Sequence, residues 1–320
     1  MIIMKKREIK KYSKAAVLEW ARTVLTEYYN CEISEIHYVG GGFFGYVYYA
    51  EINKQPNRLI MKACLSPDMC VSEERDLKLL GENSFVPIPE VYFTYKETKD
   101  IPIDFICMEY MQGKDVLSSF NPVKLAFVSK SKKDKFADDI VTAMGVWHSR
   151  KNDKFGLTGN AVYDDWFAYY KPFARDILET AEKHNSLFPE KVLRVMQKAW
   201  DKFDIIFCEK VEKAVLVHGD LNVLNIMCDN KLNVTAIIDP LESKWADKEF
   251  DLFQLRNFTG DQLGLYNAYK AKYPVSKNVD AKCAFYALFN EVYCSILADI
   301  KMSSSNRFVK WMEKELKNIQ

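Results

Sequence analysis

The feature that most constrains this chain is a β-rich island inside an otherwise helical stretch, at residues 214–238. Its sequence is AVLVHGDLNVLNIMCDNKLNVTAII, in which the turn-forming DNKLN joins two short apolar runs that predict strands. Asp220 and Asn225 lie between apolar runs, and Asp239 directly follows the last run. The sequence therefore predicts that three oxygen-bearing side chains converge at one loop end.

Phosphoryl transfer requires such a set of side chains. An aspartate orients or deprotonates the attacking hydroxyl, and hard oxygen ligands hold the Mg²⁺ that bridges the phosphates. Asp220 suits the first role. Asn225 and Asp239 suit the second, because neither is an obvious core residue although both adjoin apolar runs. The spacing therefore predicts a catalytic Asp220 and a metal site at Asn225 and Asp239.

A glycine-rich run, GGGFFG at residues 40–45, lies between two strand-like runs. Glycines let backbone amides approach a phosphate and adopt positive φ without a side-chain clash. A Walker loop or a dinucleotide fingerprint needs a helix after the glycines, whereas YVYY follows here and no Gly-Lys-Ser/Thr is present. An ordinary glycine-rich hairpin is the alternative to a nucleotide-binding loop, whose candidate residues are Gly41, Gly42, Phe43 and Gly45.

Lys62 lies in the apolar run LIMKAC, which predicts a strand, and the helix-like MCVSEERDLKLLG follows it. A solvated lysine at a strand edge is one interpretation. The other is an ion pair with Glu73 or Glu74 of the helix. In protein kinases a lysine on the third strand pairs with a helix glutamate and holds nucleotide phosphates. Lys62 and Glu73 are therefore candidate nucleotide-binding residues, with Glu74 as the alternative partner.

The order of predicted elements indicates an α+β fold with two lobes. Residues 1–112 contain a capped helix near 14–29, several strands and one inserted helix, whereas residues 113–320 are mainly helical around the single β-rich island. A chain of 320 residues is long enough for two lobes. We expect a small antiparallel-sheet lobe at 1–112 and a larger helical lobe at 113–320, as in protein-kinase-like folds.

Composition limits the possible partners. Forty-five Lys and Arg against 44 Asp and Glu give a net charge of +1, which provides no field for binding nucleic acid. The eight cysteines form no CxxC pair, which argues against a zinc site or a redox dithiol and favours buried free thiols in a reducing cytoplasm. Residues 1–12 are too basic and too poor in apolar residues for a signal peptide, and no apolar run is long enough for a membrane span. A cytoplasmic protein is expected.

These motifs resemble the aminoglycoside phosphotransferase and choline kinase superfamily, whose members are relatives of protein kinases that phosphorylate small molecules. The resemblance covers roughly residues 36–252 and is carried by VGGGFFGYVYYA, Lys62 with EERDLKLL, VPIPEVY with FICMEYMQG, and HGDLNVLNI with AIIDP. It implies ATP and Mg²⁺ as cofactors and adenine hydrogen bonds from the backbone of Glu109 and Met111. It also implies structural roles for His148 and His218. The segment DPLESKWADKEFDLFQL is similar to the fructosamine kinase branch.

Departures from the protein-kinase pattern favour a small acceptor over a protein. Gly219 replaces the arginine that pairs with a phosphorylated activation loop, and proline follows Asp239. Glu242, Asp247 and Glu249 would suit a cationic acceptor such as a glycated amine, an aminoglycoside or choline, although Asp247 and Glu249 are also typical of a helix N-terminus. The sequence thus predicts an ATP-dependent small-molecule kinase. The alternative is a catalytically idle nucleotide-binding or scaffold protein of the same fold.

Overall fold

A computed structural model describes residues 9–319. Residues 1–8, on which the expectation about a signal peptide depends, and Gln320 lie outside the described residues. The chain separates into two compact units. The first unit contains the described residues up to Ser119 together with Leu224–Glu242, and the second contains Phe120–Val223 and the described residues from Ser243 onward.

The elements are numbered in chain order. Up to Ser119 they are α1 (Lys14–Tyr29), β1 (Ile33–Gly41), β2 (Gly45–Ile52), β3 (Arg58–Cys64), α2 (Met69–Gly81), β4 (Val91–Tyr95), β5 (Asp104–Glu109), β6 (Lys114–Asp115) and α3 (Val116–Ser119). The remaining elements are α4 (Pro122–Ala126), α5 (Lys130–Ser149), β7 (Lys151–Asn152), β8 (Phe155–Leu157), β9 (Asn160–Tyr163), α6 (Trp166–Lys183), α7 (Glu190–Asp201), α8 (Phe203–Ile206), β10 (Ala214–Val217), β11 (Ile226–Cys228), β12 (Val234–Ile237), β13 (Lys244–Ala246), α9 (Gly260–Leu263), α10 (Leu265–Lys272), α11 (Val279–Ala298) and α12 (Arg307–Asn318).

The first unit is built on an antiparallel sheet in the order β1-β2-β3-β5-β4. Lys62 lies on the central strand β3, opposite Val47 of β2 and Ile106 of β5. The predicted helix at 14–29 is confirmed as α1, and the Ser13 side chain caps it by accepting from the Ala16 amide. Its apolar side packs on the sheet through Val17, Ala21, Val24 and Leu25.

A second, three-stranded sheet of the first unit has the order β12-β11-β6. The β11–β12 hairpin comes from the predicted island at 214–238, and it pairs with β6 at Met227–Asp115 and Cys228–Lys114. The Ile237 amide also donates to the Pro87 carbonyl at 3.0 Å. These contacts place Leu224–Glu242 in the first unit, whereas the sequence-based boundary after residue 112 assigned the whole island to the helical lobe.

The second unit is mainly helical but contains an antiparallel sheet in the order β7-β10-β13-β8-β9. Only β10 of this sheet falls in the predicted island, so the expectation of a single β-rich island was wrong. The other strands have two to four residues each, which is too short for an alternating pattern to distinguish them from loops. Helix α11, in which most residues are buried, packs against α6 and α12.

The structure confirms an α+β fold with an antiparallel sheet in the N-terminal region and a helical C-terminal region. It corrects one expectation about the cysteines: Cys64 at the end of β3 and Cys70 in α2 form a disulfide, with Cα atoms 6.0 Å apart. The other cysteines of the described chain are free thiols. Among the described helices, none combines the length and the apolar character that crossing a bilayer demands.

Candidate active site

The glycine run forms the turn between β1 and β2, where the Gly42 amide donates to the Gly45 carbonyl at 3.1 Å. Two of its glycines are sterically required. A Cβ on Gly41 would lie 2.5 Å from the Gly45 carbonyl oxygen, and a Cβ on Gly45 would lie 2.8 Å from the Ala63 carbonyl oxygen. The same Cβ on Gly45 would be 3.3 Å from Cε of Lys62, so the turn packs directly beside the lysine. The nucleotide-binding role of Gly41, Gly42, Phe43 and Gly45 stays a prediction.

Lys62 binds two carboxylates of the first unit. Its Nζ lies 2.8 Å from Oε2 and 2.9 Å from Oε1 of Glu73, and 2.5 Å from Oδ1 of Asp239. Lys62 is buried, so the interpretation as a solvated strand lysine is wrong. Glu74 instead binds Lys78 at 2.7 Å. The structure thus selects Glu73 as the partner of Lys62 and adds Asp239 as a second one.

The charges of Lys62, Glu73 and Asp239 shift one another's protonation. Burial alone would lower the pKa of Lys62, but the negative charges of Asp239 and Glu73 raise it above its ordinary value. Burial raises the pKa of Glu73 to about 7, against the opposing charge of Lys62 and with a further increase from Asp239. One ammonium cannot neutralise two carboxylates, so the cluster favours an additional proton or cation.

Asn225 and Asp239 lie at the open end of the β11–β12 hairpin. Ile226 pairs with Ile237, and the Ile238 amide donates to the Asn225 carbonyl at 2.9 Å, which places Asn225 beside the residue preceding Asp239. Asp239 has a φ of 56°, which is uncommon for a residue other than glycine, and its side chain is half exposed. Amide and carboxylate oxygens are donors that Mg²⁺ prefers. Among the described residues there is no cluster of three His, Cys, Asp or Glu that could hold a metal, and the metal-binding role of Asn225 and Asp239 stays a prediction.

Glu109 and Met111 are the residues expected to contact adenine; Glu109 is the last residue of β5, and Met111 follows two residues later. The Glu109 amide donates to the Glu90 carbonyl at 2.8 Å, so an adenine contact by Glu109 would have to use its carbonyl oxygen. Both residues border an open cavity of about 360 Å³ that Arg58 and Tyr92 also line. Their contact with adenine stays a prediction.

In the second unit, the loop of residues 218–220 is held by Asp251. The carboxylate of this buried residue accepts from the His218 amide at 2.8 Å and from the Gly219 amide at 2.9 Å. Burial alone would raise the pKa of Asp251, but the neighbouring His148, whose Nε2 lies 3.8 Å from Oδ2 of Asp251, together with His218 and the Gly219 amide, lowers it below its ordinary value. His148 and His218 both lie beside Asp251, and their structural role stays a prediction. Sequence reasoning did not assign this bracing role to Asp251, although the Asp-Leu pair after the acidic run was a visible signal.

The Asp220 carboxylate is oriented by two neutral side chains. Nε2 of Gln254 lies 2.8 Å and Nδ2 of Asn222 lies 2.9 Å from Oδ1 of Asp220. The Asp220 amide faces Nδ1 of His218 at 3.3 Å. Gln254 could not be found from the sequence, because it lies 34 residues beyond Asp220 and follows no known spacing. Asp220 belongs to the second unit and Asn225 and Asp239 belong to the first, so their convergence stays a prediction.

Asp247 and Glu249, two of the candidate substrate residues, lie in the interior of the second unit. Nζ of Lys282 is 2.7 Å from Asp247 and 2.6 Å from Glu249. Tyr286 donates to Asp247 at 3.0 Å, and the Ser276 hydroxyl donates to Glu249 at 2.7 Å. Asp247 also caps the following 3₁₀ turn, as the alternative interpretation expected. Both carboxylates are therefore committed to the fold rather than presented to an acceptor.

Glu242, the third candidate substrate residue, lies elsewhere. It belongs to the first unit, is partly exposed, and has a φ of 49°. Its role in acceptor binding stays a prediction.

A glycine hairpin beside a strand lysine, a helix glutamate bound to that lysine, and a braced loop aspartate define a protein-kinase-like phosphotransferase fold. The chain is similar to solved structures of that class over more than nine-tenths of its length. A putative fructosamine-3-kinase from Haemophilus somnus 129PT is 17% identical, with a TM-score of 0.65, over 93% of this chain and 95% of that chain. A thermostable mutant of an aminoglycoside phosphotransferase, in complex with ADP and hygromycin B, is 16% identical, with a TM-score of 0.65, over 92% of this chain and 97% of that chain. At such identities the similarity shows the fold alone.

The family follows from the sequence. The profile of the family described as Fructosamine kinase matches residues 15–312, and the chain therefore belongs to the fructosamine kinase family. A probable ketoamine kinase of Lactiplantibacillus plantarum (strain ATCC BAA-793 / NCIMB 8826 / WCFS1) is 28% identical over 127 residues, which are 39% of this chain. The match spans 44% of that relative's length. The resemblance to the aminoglycoside phosphotransferase group, and to its fructosamine kinase branch, is confirmed.

Proposed function

We propose that the protein is an ATP-dependent, Mg²⁺-requiring kinase that phosphorylates a hydroxyl group of a small amine-bearing molecule. A glycated amine of the ketoamine type is the first candidate acceptor. Membership of the fructosamine kinase family and the partial match to a probable ketoamine kinase support this choice. Aminoglycoside-like and choline-like amines are the other candidate acceptors.

The observation that carries the proposal is the cluster of Lys62, Glu73 and Asp239. Its surplus negative charge suits a site where Asp239 takes a metal ion and Lys62 takes phosphate oxygens, while Glu73 keeps the ammonium in place. Bound Mg²⁺ would neutralise charge on the transferred phosphoryl group. The glycine turn beside Lys62 would add backbone amides to the phosphates.

Asp220 provides the second half of the reaction. We assign it to the acceptor hydroxyl, whose proton passes to the carboxylate while the hydroxyl oxygen bonds to the γ-phosphoryl group and ADP leaves. Most of the rate enhancement would come from positioning and charge neutralisation, because a phosphoryl group needs little covalent help from a protein. The hydrogen bonds that Asp220 accepts from Gln254 and Asn222 support a preorganised carboxylate.

The test combines a binding measurement with an acceptor screen. Thermal unfolding with ATP and Mg²⁺ measures nucleotide binding, and ADP release is then measured over glycated amines, aminoglycosides and choline. Asp220→Ala should lower turnover by about 10²- to 10⁴-fold and leave nucleotide affinity nearly unchanged. Near-normal turnover in that variant would refute the assignment of Asp220.

The alternative is a catalytically idle nucleotide-binding or scaffold protein. It would show a thermal shift with ATP and Mg²⁺ but no ADP release with any acceptor. The presence of Asp220, Asn225 and Asp239 together with the Lys62–Glu73 pair favours the enzyme.

A cytoplasmic location is part of the proposal. Free thiols at Cys31, Cys107, Cys208, Cys228, Cys283 and Cys294 support it, whereas the Cys64–Cys70 disulfide is more typical of an oxidising compartment. Fractionation of the source cells, with detection of the chain in the soluble cytoplasmic fraction, tests it; recovery from an extracellular or membrane fraction would contradict it.

A further inference from the structure

Gln254 lies in a tight turn that carries two residues facing the 218–220 loop. The turn runs from Lys248 through Arg256, largely as 3₁₀ helix, and Gln254 follows Asp251 by three residues. Side chains three residues apart in such turns lie on the same side. Asp251 binds the backbone amides of the loop, and Gln254 binds the side chain of Asp220. One turn thus holds both the loop and its carboxylate.

The orientation of the Gln254 amide is determined by Asn257. The Asn257 backbone amide donates to the Gln254 carbonyl at 3.0 Å, and its side-chain Nδ2 donates to Oε1 of Gln254. Because Oε1 is bound in this way, Nε2 faces Asp220. The opposite orientation would bring the amide oxygen against a carboxylate oxygen, which is repulsive. Gln254 is 4% exposed, so water competes little for its amide.

Asn222 is the second donor to the same oxygen. Its Nδ2 lies 2.9 Å from Oδ1 of Asp220, its backbone amide donates to the Asp220 carbonyl at 2.9 Å, and the residue is buried. Two donors on Oδ1 restrain the rotation of the Asp220 carboxylate. Both are neutral amides, so they stabilise the ionised carboxylate without cancelling its charge.

We propose that Gln254, together with Asn222, is a positioning residue that keeps the Asp220 carboxylate ionised and in a single orientation for the acceptor hydroxyl. The inference rests on the proposed function of Asp220 as the group that receives the acceptor. Gln254 acts through Asp220 rather than by touching either substrate.

Other titratable groups around Asp220 act alongside these amides. His218 and Asp251 belong to the loop and to the turn that braces it. The free thiol of Cys294 in α11 is exposed, and the negative charges of Asp220 and Glu291 act on it. None of these groups is altered in a Gln254 variant. A shift in the pKa of Asp220 in that variant therefore reports on the loss of the Gln254 amide.

The enzymatic test is Gln254→Leu, which removes the donor at a similar volume. Loss of one hydrogen bond to a charged group should lower kcat by about 10- to 100-fold and leave the KM for ATP unchanged. The acid limb of the kcat/KM profile should move up by about one pH unit, because a donor to the ionised form lowers a pKa. Gln262→Leu, at an exposed glutamine of α9, is the matched control and should change neither quantity. If Gln254→Leu lowers the melting temperature, Gln254→Met is the second variant.

A titration without substrates separates this proposal from the proposed function. The Asp220 carboxyl carbon is followed by ¹³C NMR against pH, with its signal assigned through Asp220→Asn. Gln254→Leu and Asn222→Ala should each raise the observed pKa, whereas Gln262→Leu should not. A folded Gln254→Leu protein with an unshifted Asp220 pKa and an unmoved acid limb would overturn the inference. If the wild-type chain phosphorylates no acceptor, the proposed function fails, while the NMR titration still decides whether Gln254 controls Asp220.

Discussion

Among the described residues, two buried lysines, Lys62 and Lys282, are each bound by two carboxylates, one cluster in each unit. Lys62 binds Glu73 and Asp239 at 2.5–2.9 Å, and Lys282 binds Asp247 and Glu249 at 2.6–2.7 Å. The composition, the net charge and the distances are almost the same. The surroundings of the acids are not.

The carboxylates differ in exposure and in additional partners. The side chain of Asp239 is 52% exposed, whereas those of Asp247 and Glu249 are 4% and 2% exposed. Tyr286 and Ser276 add hydrogen bonds to the cluster of Lys282, so its surplus negative charge is dispersed within the interior. In the cluster of Lys62, the Asp239 carboxylate faces solvent, and Glu73 has a raised pKa and so takes up a proton more readily. Both features reduce the surplus negative charge of the cluster.

The difference in exposure and hydrogen bonding indicates which of the two ion clusters can exchange its partners. A buried cluster with every acid hydrogen-bonded is costly to break, because any loss leaves an uncompensated charge in the interior. A cluster with one half-exposed acid can release that acid to a metal ion. We therefore assign the cluster of Lys62 to function and the cluster of Lys282 to stability.

The largest expected effect is the loss of stability in Lys282→Met. Removing this ammonium leaves Asp247 and Glu249 buried without a cation, and we expect the free energy of unfolding to fall by about 3–5 kcal/mol. Lys62→Met should lose less than half as much, because Asp239 can turn to solvent and Glu73 can take up a proton. Urea unfolding at neutral pH measures both variants. Equal losses would remove the distinction between the clusters.

Asp239→Ala should affect binding rather than folding. We expect the affinity for ATP with Mg²⁺ to fall by about 100-fold, because the proposed metal ligand is lost, and the free energy of unfolding to change little. Isothermal titration calorimetry in the presence and absence of Mg²⁺ measures this loss. Asp247→Ala should have the opposite effect. Its free energy of unfolding should fall, and the protein that remains folded should still bind ATP with Mg²⁺. Unchanged affinity in Asp239→Ala would place the metal elsewhere.

The raised pKa of Glu73 gives stability a pH dependence. The pKa is about 7 in the folded chain against an ordinary 4.5, so the folded protein takes up a proton more readily than the unfolded one. This contribution is fully present below pH 4.5 and is lost as the pH rises through 7. The contribution of the raised pKa to the free energy of unfolding should be about 2 kcal/mol, once the interactions of Lys62 and Asp239 have adapted to the ionised Glu73. The difference in unfolding free energy between the wild type and Glu73→Gln, measured from pH 4.5 to 8, should decrease by that amount; a constant difference would contradict the assignment.

The disulfide Cys64–Cys70 should contribute about 2 kcal/mol, since it closes a loop of only six residues between β3 and α2. These are the elements that carry Lys62 and Glu73. Reduction by dithiothreitol should therefore lower the unfolding free energy and weaken nucleotide binding. Without reductant, Cys70→Ser should have the same unfolding free energy as the reduced wild type. Adding dithiothreitol to this variant should cause no further change. A wild-type protein that is insensitive to dithiothreitol would exclude this contribution.

Much of the first unit could be predicted because its signals are local. Ser13 and the apolar spacing behind it indicate α1, and the order of glycines, Lys62 and a glutamate-bearing helix indicates the ion pair. The choice between Glu73 and Glu74 needed the structure. Both lie on α2, and only the rotation of that helix on the sheet decides which one faces Lys62.

The acidic run after the hairpin shows why other parts could not be predicted. Asp247 and Glu249 looked like surface charges because their cation, Lys282, lies more than thirty residues away in a helix of mainly apolar residues. Gln254 has the same difficulty, since its partner Asp220 is defined only by tertiary packing. Pairings of this kind depend on how distant segments meet, and no spacing in the chain records them.

The chain passes from one unit to the other after Ser119, after Val223 and after Glu242. As a consequence, neither unit corresponds to an uninterrupted stretch of the gene. A fragment ending at residue 119 would contain Lys62 and Glu73 but would lack Asp239 and the partner strand of β6. Neither unit could therefore be moved into another protein as one uninterrupted segment, although each has its own compact set of contacts.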